Sequence, residues 1–290
     1  MKSGFVILAG RSNVGKSTLL NALVGSKVAI VTPKPQTTRQ PMRGILHDER
    51  GQIVFVDTPG VFLGRKDIIS KKLNAIVEQS LKGVDAVVYV MDPTRAPGPE
   101  EEKISKLLRA AKVPIINILN KSDLPMDERP FRENYLETDV GQKETLELSA
   151  KSHNNLNLLV DSLFDLMPDG DEYYPPLQIT DLRQQEWLEE IIREKVFLSL
   201  EQELPYSVKV SVEEVEERKG GLRYIAATIW TTEERYKGMI IGAKGAKIKE
   251  IGSKVRKELE ETLQSKVFID LNVKVDPKWP IRFSKGDIGL

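Results

Sequence analysis

The stretch FVILAGRSNVGKSTLL, Phe5–Leu20, joins an apolar run, a glycine-rich turn and the start of a helical pattern. Its middle, GRSNVGKS, fits the pattern G-x-x-x-x-G-K-[S/T]. It stands in the context that this pattern requires, after a predicted strand, Phe5–Ala9, and before a predicted helix, Ser17–Leu23. Successive backbone N–H groups of such a loop point at phosphate oxygens. The stretch therefore predicts a nucleoside triphosphate site at the end of a strand.

Single positions of this loop have separate predicted roles. Gly10 and Gly15 let the backbone wrap around the phosphates. Lys16 reaches the β- and γ-phosphates, and the Ser17 hydroxyl ligates Mg²⁺. The predicted phosphate-binding residues are Gly10, Asn13, Val14, Gly15, Lys16, Ser17, Thr18 and Gly60.

Apolar runs and helical patterns alternate through residues 1–168, with helical spacing at Glu100–Ala111 and Asn155–Met167, for example. The predicted strands are Phe5–Ala9, Ile53–Val56, Ala86–Met91, Pro114–Leu119 and Thr145–Leu148. Continuous apolar runs separated by helices are typical of a parallel sheet that is covered on both faces. The first domain is therefore predicted to be α/β with a mostly parallel sheet.

The pattern changes after a proline-rich and acidic stretch, MPDGDEYYPP, from which we predict a linker over residues 169–180. The elements predicted beyond it are a helix (Glu186–Leu200), a strand around Val208–Val212, a strand (Arg223–Trp230), a glycine loop with helices (one of them Ala246–Leu263) and a strand (Val267–Val275). Residues 181–290 are thus predicted to form a smaller α+β domain of order α-β-β-α-α-β.

Composition excludes several classes of protein. The 290 residues suffice for about two domains, and the chain has no cysteine, which excludes disulfides and Cys-based zinc sites. No apolar stretch approaches the ~20 residues that span a bilayer, and the N-terminal apolar run is too short for a signal peptide. We expect a cytoplasmic protein.

The net charge of zero hides an asymmetry. Residues 218–290 contain 16 Lys and Arg but 9 Asp and Glu, an excess of +7, so the rest of the chain carries −7. A basic C-terminal part beside an acidic N-terminal part favours a polyanionic partner. A solvated, lysine-rich helix face is the alternative.

Three further motifs follow predicted strands. Asp57 of DTPG is placed to hold Mg²⁺, and the N–H of Gly60 to contact the γ-phosphate. Asp123 of NKSD accepts hydrogen bonds that guanine N1–H and its 2-amino group donate and adenine does not. The Ala150 N–H of SAK is predicted to donate to guanine O6. The predicted guanine-binding residues are Asn120, Lys121, Asp123, Ser149, Ala150 and Lys151.

Each aspartate alone would more often be a turn residue or a helix cap. All four motifs, however, occur in order at successive strand ends, where open α/β sheets bind ligands. The sequence therefore predicts a site for GTP with Mg²⁺.

The ordered motifs GRSNVGKS, PQTTRQ, DTPGVF, NKSD and SAK resemble those of translation-factor-class GTPases close to the Era family. The resemblance implies that Thr37 or Thr38 ligates Mg²⁺ when the γ-phosphate is present, and position before the arginine favours Thr38. The alternative is that both hydroxyls lie in a polar loop. The predicted metal ligands are thus Ser17, Thr38 and Asp57.

Ras-like GTPases carry a water-orienting glutamine after DTPG, where this chain has Val61 followed by Phe62. The resemblance therefore implies slow intrinsic hydrolysis, on the order of 10⁻⁴ to 10⁻² s⁻¹. Asn13 matches the asparagine with which related GTPases hold K⁺; a turn-stabilising role is the alternative.

A second glycine loop, GAKG at Gly242–Gly245, has a different spacing and lies between two helical segments. Helix, G-x-x-G, helix is the arrangement of a KH domain, whose loop clamps a nucleic-acid backbone. The predicted RNA-binding residues are Gly242, Ala243, Lys244, Gly245 and Lys247.

The resemblance to the Era family covers nearly the whole chain. It implies binding of small-subunit ribosomal RNA near its 3′ end, a role in assembly of the 30S-type subunit, and peripheral association with the inner face of the cell membrane. We expect a monomer that binds GTP and GDP and not DNA. Two alternatives are a signalling GTPase whose C-terminal domain binds a protein, and an enzyme that uses GTP to modify a small molecule.

Overall fold

The computed structural model describes residues 1–61, 63, 68–137, 140 and 145–286, which form two compact units. The first unit runs from Met1 to Asp181, and the second begins at Leu182. None of the helices described in these ranges is long and apolar enough to cross a membrane.

A six-stranded sheet forms the centre of the first unit. Its strands are β1 (Lys2–Ala9), β2 (Met42–Asp48), β3 (Gly51–Asp57), β4 (Ala86–Met91), β5 (Ile115–Leu119) and β6 (Thr145–Glu147). The order is β2-β3-β1-β4-β5-β6, and every pair is parallel except β2 with β3. This confirms the predicted, mostly parallel sheet. The edge strand β2 was not predicted.

The described helices of this unit are α1 (Lys16–Val24), α2 (Ile68–Ser80), α3 (Pro99–Ala111), α4 (Arg132–Leu136) and α5 (Leu156–Leu166). All residues of β3 and β4 are buried, which means that the sheet is covered on both faces. Pro99 stands at the first turn of α3, and Glu101 Oε2 accepts the Gly98 N–H at 3.0 Å. Both features favour a helix start at this point.

The predicted linker, residues 169–180, lies on the first unit. The Ile45 N–H of β2 donates to Ile179 O at 2.9 Å, and the Thr180 hydroxyl donates to Arg43 O at 2.8 Å. The buried Gln52 side chain accepts the N–H groups of Tyr173 and Tyr174. This segment covers the outer edge of β2, which would otherwise present unpaired backbone groups.

The second unit contains a three-stranded sheet. Its elements are α6 (Gln184–Ser199), β7 (Lys209–Arg218), β8 (Leu222–Thr231), α7 (Glu234–Ile241), α8 (Ala246–Leu263), β9 (Val267–Val275) and α9 (Trp279–Lys285). Strand β8 pairs antiparallel with β7 and parallel with β9. Up to β9 this is the predicted order α-β-β-α-α-β, and α9 is an addition. Helix α6 packs on β7 and α8 on β9, over the buried side chains of Ile225, Ala227 and Ile229.

Candidate nucleotide and nucleic-acid sites

A cleft of about 520 Å³ opens at the edge of the first sheet where the parallel strands end. The predicted residues that line it are Asn13, Gly15, Lys16, Ser17, Thr18, Thr38, Gly60 and Lys121. Residues with no predicted ligand role also line it, among them Gln36, Asp92, Thr94 and Arg95. Because the carboxyl ends of parallel strands share one edge, motifs distant in sequence meet here.

Lys16 is buried beneath the phosphate loop. Its Nζ donates to Gly10 O at 3.2 Å and to Arg11 O at 3.0 Å. Burial lowers the pKa of Lys16 to about 8, although the negative charge of Asp57 opposes the shift. A phosphate at this position would stabilise the charged ammonium, as the predicted role requires.

Ser17, Thr38 and Asp57 form a cluster of three oxygens. The Ser17 hydroxyl donates to Asp57 Oδ2 at 2.6 Å and lies 3.2 Å from Thr38 Oγ1, which is also 3.2 Å from Asp57 Oδ2. Burial raises the pKa of Asp57, and among the described residues its buried Oδ1 has no hydrogen-bond partner. A hard cation that prefers oxygen ligands fits these three groups, so they suit Mg²⁺.

The structure separates the two switch threonines. Thr37 Oγ1 donates to Lys34 O at 2.7 Å and lies 2.6 Å from Thr32 Oγ1, within its own loop. Only Thr38 is hydrogen-bonded to Ser17 and Asp57. The favoured choice from the sequence is thus the threonine that lies beside the predicted metal ligands.

The DTPG segment packs against the phosphate loop. A Cβ on Gly60 would lie 2.6 Å from both the N and the Cα of Ser12, so a side chain does not fit at this position. The next residue, Val61, is buried, and its N–H donates to Gly10 O at 3.3 Å. Phe62 lies outside the described residues.

Asn120 connects the guanine motifs to the phosphate loop. Its Nδ2 donates to Val14 O at 2.8 Å, and its Oδ1 accepts the Ala150 N–H at 3.0 Å. The Ser149 hydroxyl donates to Asp123 Oδ1 at 2.6 Å. The structure therefore brings NKSD and SAK together, and the Ala150 N–H predicted to contact guanine is hydrogen-bonded to Asn120. Lys151 is exposed.

Asn13 lies at the surface of the cleft with a left-handed backbone, φ 67°. Its Nδ2 donates to Pro33 O at 2.6 Å, which joins the phosphate loop to the segment that carries Thr38. This contact gives Asn13 a structural role and does not test its predicted role with K⁺.

Asp92, Thr94 and Arg95 also line the cleft, and sequence reasoning missed them. A signal was present, because Asp92 directly follows the predicted strand Ala86–Met91, as the other motifs follow theirs.

The second glycine loop connects α7 to α8 in the second unit. Gly242 and Gly245 have φ values of 73° and 77°, which favour glycine. Lys244 is exposed, and the described residues offer it no ion-pair partner, whereas Lys247 Nζ lies 3.2 Å from Glu250 Oε2. The loop therefore presents one cation to solvent beside a positive-φ backbone.

A groove of about 330 Å³ lies between α8 and β9, beginning at the first turn after this loop. The residues that line it are Ile248, Lys249, Gly252, Ser253, Arg256, Phe268, Ile269 and Leu271. It combines two cations with apolar side chains, and Phe268 is 53% exposed. The sequence predicted the loop but not the groove, because α8 and β9 meet only through tertiary packing.

The acidic excess expected in the N-terminal part lies mostly elsewhere. With the boundary between residues 181 and 182, the first unit has 23 basic and 24 acidic residues. Residues 182–217 of the second unit have 4 basic and 10 acidic residues. The second unit is thus polarised, with the basic excess in the part that contains the glycine loop.

Comparisons with known proteins match a different family model to each of the two units. Residues 5–121 match a family model described as 50S ribosome-binding GTPase, and residues 203–280 match a KH domain model. GTPase Era of Halothermothrix orenii is 41% identical over 283 residues, which are 96% of this chain and 94% of that protein. GTPase Era of Carboxydothermus hydrogenoformans is 41% identical over 280 residues, again 96% of this chain and 94% of that protein.

Two solved structures are similar over nearly the whole chain. One is a variant of Aquifex aeolicus Era bound to GDP and aluminium fluoride. The other is Era in complex with MgGDPNP and nucleotides 1506–1542 of 16S ribosomal RNA. Each has a TM-score of 0.89 at 34% identity and covers 97% of this chain and 96% of that chain. With relatives at 41% identity over 96% of its length, the chain belongs to the Era family of GTPases.

Proposed function

We propose that this chain is a GTP-hydrolysing switch that binds ribosomal RNA near the 3′ end of the small-subunit RNA and assists assembly of the small subunit. The observation that carries the proposal is the related Era structure that contains both MgGDPNP and nucleotides 1506–1542 of 16S ribosomal RNA. The ribosomal partner implies a cytoplasmic location. Peripheral membrane association rests on the family resemblance alone.

The switch depends on how the cleft binds the γ-phosphate. Lys16 neutralises the β- and γ-phosphates, and Ser17, Thr38 and Asp57 would hold Mg²⁺, which supplies positive charge to the phosphate oxygens. Thr38 belongs to the loop after α1, so its attachment to the metal site orders that loop when GTP is bound. Loss of the γ-phosphate releases it.

Hydrolysis by the chain alone should be slow. Val61 has no hydrogen-bonding group on its side chain and is fully buried, so it cannot orient an attacking water. A faster rate requires groups or ions from outside the described cleft.

We assign guanine selection to Asp123. Its Oδ1 is held by the Ser149 hydroxyl at 2.6 Å, which fixes the carboxylate relative to the SAK loop. Adenine presents no pair of donors to such a carboxylate, so the wrong base leaves this acceptor without those hydrogen bonds.

We assign RNA binding to the glycine loop and the groove beside it. The exposed Lys244 attracts phosphate, and the positive-φ glycines let the RNA backbone approach. Lys249 and Arg256 extend the positive charge along the groove, where Phe268 offers a ring for base stacking.

Anisotropy with an RNA of the sequence 1506–1542 tests this assignment. The double change Ala243→Asp and Lys244→Asp replaces attraction by repulsion, and we expect affinity to fall at least roughly tenfold with a weaker salt dependence. Lys244→Asp alone is compared with Lys257→Asp, an equal charge change on α8, about three turns beyond the start of that helix. Tryptophan fluorescence serves as the folding control, because all three tryptophans belong to the second unit, and GTP hydrolysis should be unchanged.

Equal losses in these two single variants would mean that net charge, and not the loop, binds RNA. Unaltered affinity in the double variant would contradict the assignment of the loop.

We also propose that Asn13 holds K⁺ beside the phosphates. The support is its place in the phosphate loop, at the cleft surface and joined to Pro33. Hydrolysis should be faster in KCl than in NaCl at equal ionic strength, and Asn13→Ala should remove the difference. Equal rates in both salts would leave Asn13 with its structural role only.

A further inference from the structure

The loop between β4 and α3, residues 92–98, begins with a carboxylate that accepts several hydrogen bonds. The Asp92 side chain is completely buried. Its Oδ2 accepts a hydrogen bond from Lys121 Nζ at 2.6 Å. Its Oδ1 accepts the Thr94 N–H at 3.0 Å and the Thr94 hydroxyl at 2.7 Å. The carboxylate is thus fixed on both oxygens and bound to the lysine of NKSD.

The same carboxylate contacts the phosphate loop through Arg95. Arg95 Nε lies 3.4 Å from Asp92 Oδ2, and Arg95 Nη2 donates to Ser12 O at 2.7 Å. Ser12 lies within GRSNVGKS, 83 residues away in sequence. One buried anion therefore lies between a cation of the guanine motif and a cation that holds the phosphate loop.

The Asp92 carboxylate retains its negative charge although it is buried. Burial alone would raise the pKa of Asp92, but the hydrogen bonds from Lys121 and Thr94 outweigh it, so the pKa lies below its usual value. Loss of the Asp92 charge would leave the Lys121 ammonium without its partner, and the Lys121 side chain is only 32% exposed, which makes the loss unfavourable. Lys121 would then have to find another position for its ammonium group.

We propose that Asp92 is a positioning residue for nucleotide binding: it orients Lys121 at the cleft and, through Arg95, the Ser12 segment of the phosphate loop. Lys121 lines the cleft with a left-handed backbone, φ 66°. Because Asp92 holds the Nζ at the end of the Lys121 side chain, the methylene stem of that side chain is the part available to the base. The inference rests on the guanine-binding role proposed above for Lys121.

The test is the release rate of a fluorescent GDP from the full chain. Asp92→Asn keeps the shape of the side chain and removes its charge, and we expect roughly tenfold faster release, the size of a lost hydrogen bond between charged groups. The preference for GDP over IDP should not change, because Asp123 reads the 2-amino group.

A matched control stands at the other end of the same strand. Asp85 precedes β4, and its Oδ2 accepts the Phe5 N–H at 2.7 Å, about 20 Å from Asp92 along the strand. Asp85→Asn is the same chemical change outside the cleft, and its GDP release should stay within about twofold of the original chain.

A double-mutant cycle with Lys121→Met separates positioning from general destabilisation. If Asp92 acts through Lys121, Asp92→Asn should accelerate release much less in the Lys121→Met background than in the original chain. An equal factor in both backgrounds, or an unchanged rate for Asp92→Asn, would overturn the inference. If Lys121→Met itself leaves the rate of GDP release unchanged, Lys121 has no role in guanine binding, and the proposed function of this residue is then contradicted rather than the role of Asp92 alone.

Arg95→Met tests the second arm and covers the case in which Asp92→Asn does not fold. The Arg95 side chain is 43% exposed, so its replacement is expected to preserve the fold. Release of GDP should again be faster, because Ser12 O loses its donor. An unchanged rate would overturn the connection to the phosphate loop.

Discussion

Arg11→Met is the change in the phosphate loop from which we expect a large loss of stability. Arg11 Nε lies 2.7 Å from Glu101 Oε1, and Nη1 donates to Glu101 Oε2 at 3.2 Å and to Ala96 O at 3.1 Å. Both side chains are nearly buried, at 8% and 10% exposure. Methionine keeps an unbranched stem but leaves the Glu101 carboxylate without its cation.

The size of the effect follows from what remains around Glu101. Breaking a buried ion pair on one side typically destabilises by roughly 3–5 kcal/mol. Glu101 would still accept hydrogen bonds from the Gly98 N–H at 3.0 Å and the Tyr135 hydroxyl at 3.2 Å. We therefore expect the lower end, about 3 kcal/mol. For a unit of this size that lowers the melting temperature by about 6–12 °C.

The chain contains its own internal reference for this assay. Its three tryptophans, Trp187, Trp230 and Trp279, all belong to the second unit. Thermal unfolding followed by tryptophan fluorescence therefore reports the second unit, whereas circular dichroism reports both. The samples contain no added nucleotide, because nucleotide would stabilise the first unit. Arg11→Met should then lower the melting temperature of the first unit, which circular dichroism detects, and leave the melting temperature measured by fluorescence unchanged.

Two outcomes would refute this reasoning. One is a shift of less than about 2 °C, which would mean that the ion pair contributes little. The other concerns Glu101→Gln, which removes the buried charge and keeps the side-chain shape. Added to Arg11→Met, it should recover part of the lost stability, and a further loss would contradict the electrostatic explanation.

Four further predictions concern the nucleotide-binding motifs. Asp123→Asn should shift base preference from GTP toward xanthosine triphosphate, because the amide presents a donor to guanine N1–H; competition binding measures this, and unchanged GTP affinity would contradict it. Thr38→Ala should weaken Mg²⁺-dependent GTP binding roughly tenfold without affecting GDP, whereas Thr37→Ala should change both by less than about twofold; equal effects of the two changes in titrations would be inconsistent with the metal role of Thr38. Because burial lowers the pKa of Lys16 to about 8, GDP binding above that pH should take up a proton. The binding enthalpies that calorimetry measures in two buffers of different ionisation enthalpy should therefore differ above about pH 8 and agree near neutral pH. The same depressed pKa means that the unfolded chain binds more protons between about pH 8 and 10.5, so the Lys16 contribution makes the free energy of unfolding rise with pH in that window.

The first and last residues of several elements could be predicted from the sequence. Strand Ala86–Met91, helix Ala246–Leu263 and strand Val267–Val275 have the same first and last residues in the structure as in the prediction. Buried parallel strands are continuous apolar runs, and amphipathic elements repeat with their own period, so both are visible locally. The edge strand Met42–Asp48 was missed, because its stability comes from pairing with β3 and with the segment near Ile179.

The sequence by itself determined the class of ligand and the order of the elements. The spacing within GRSNVGKS, DTPG, NKSD and SAK is a local property of the chain. The residue types of each motif and its place after a strand indicate which part of the ligand it binds, without knowledge of any distant contact. The G-x-x-G loop within an α-β-β-α-α-β order is local in the same sense.

Only the tertiary structure decided which side chains meet at the site. It placed Thr38 and not Thr37 beside Asp57, and it joined Asp92 to Lys121, 29 residues away. It also formed the groove between α8 and β9. Such contacts depend on sheet register and on the packing of helices against strands, which bring distant residues to one edge and are not encoded in the spacing of any single motif.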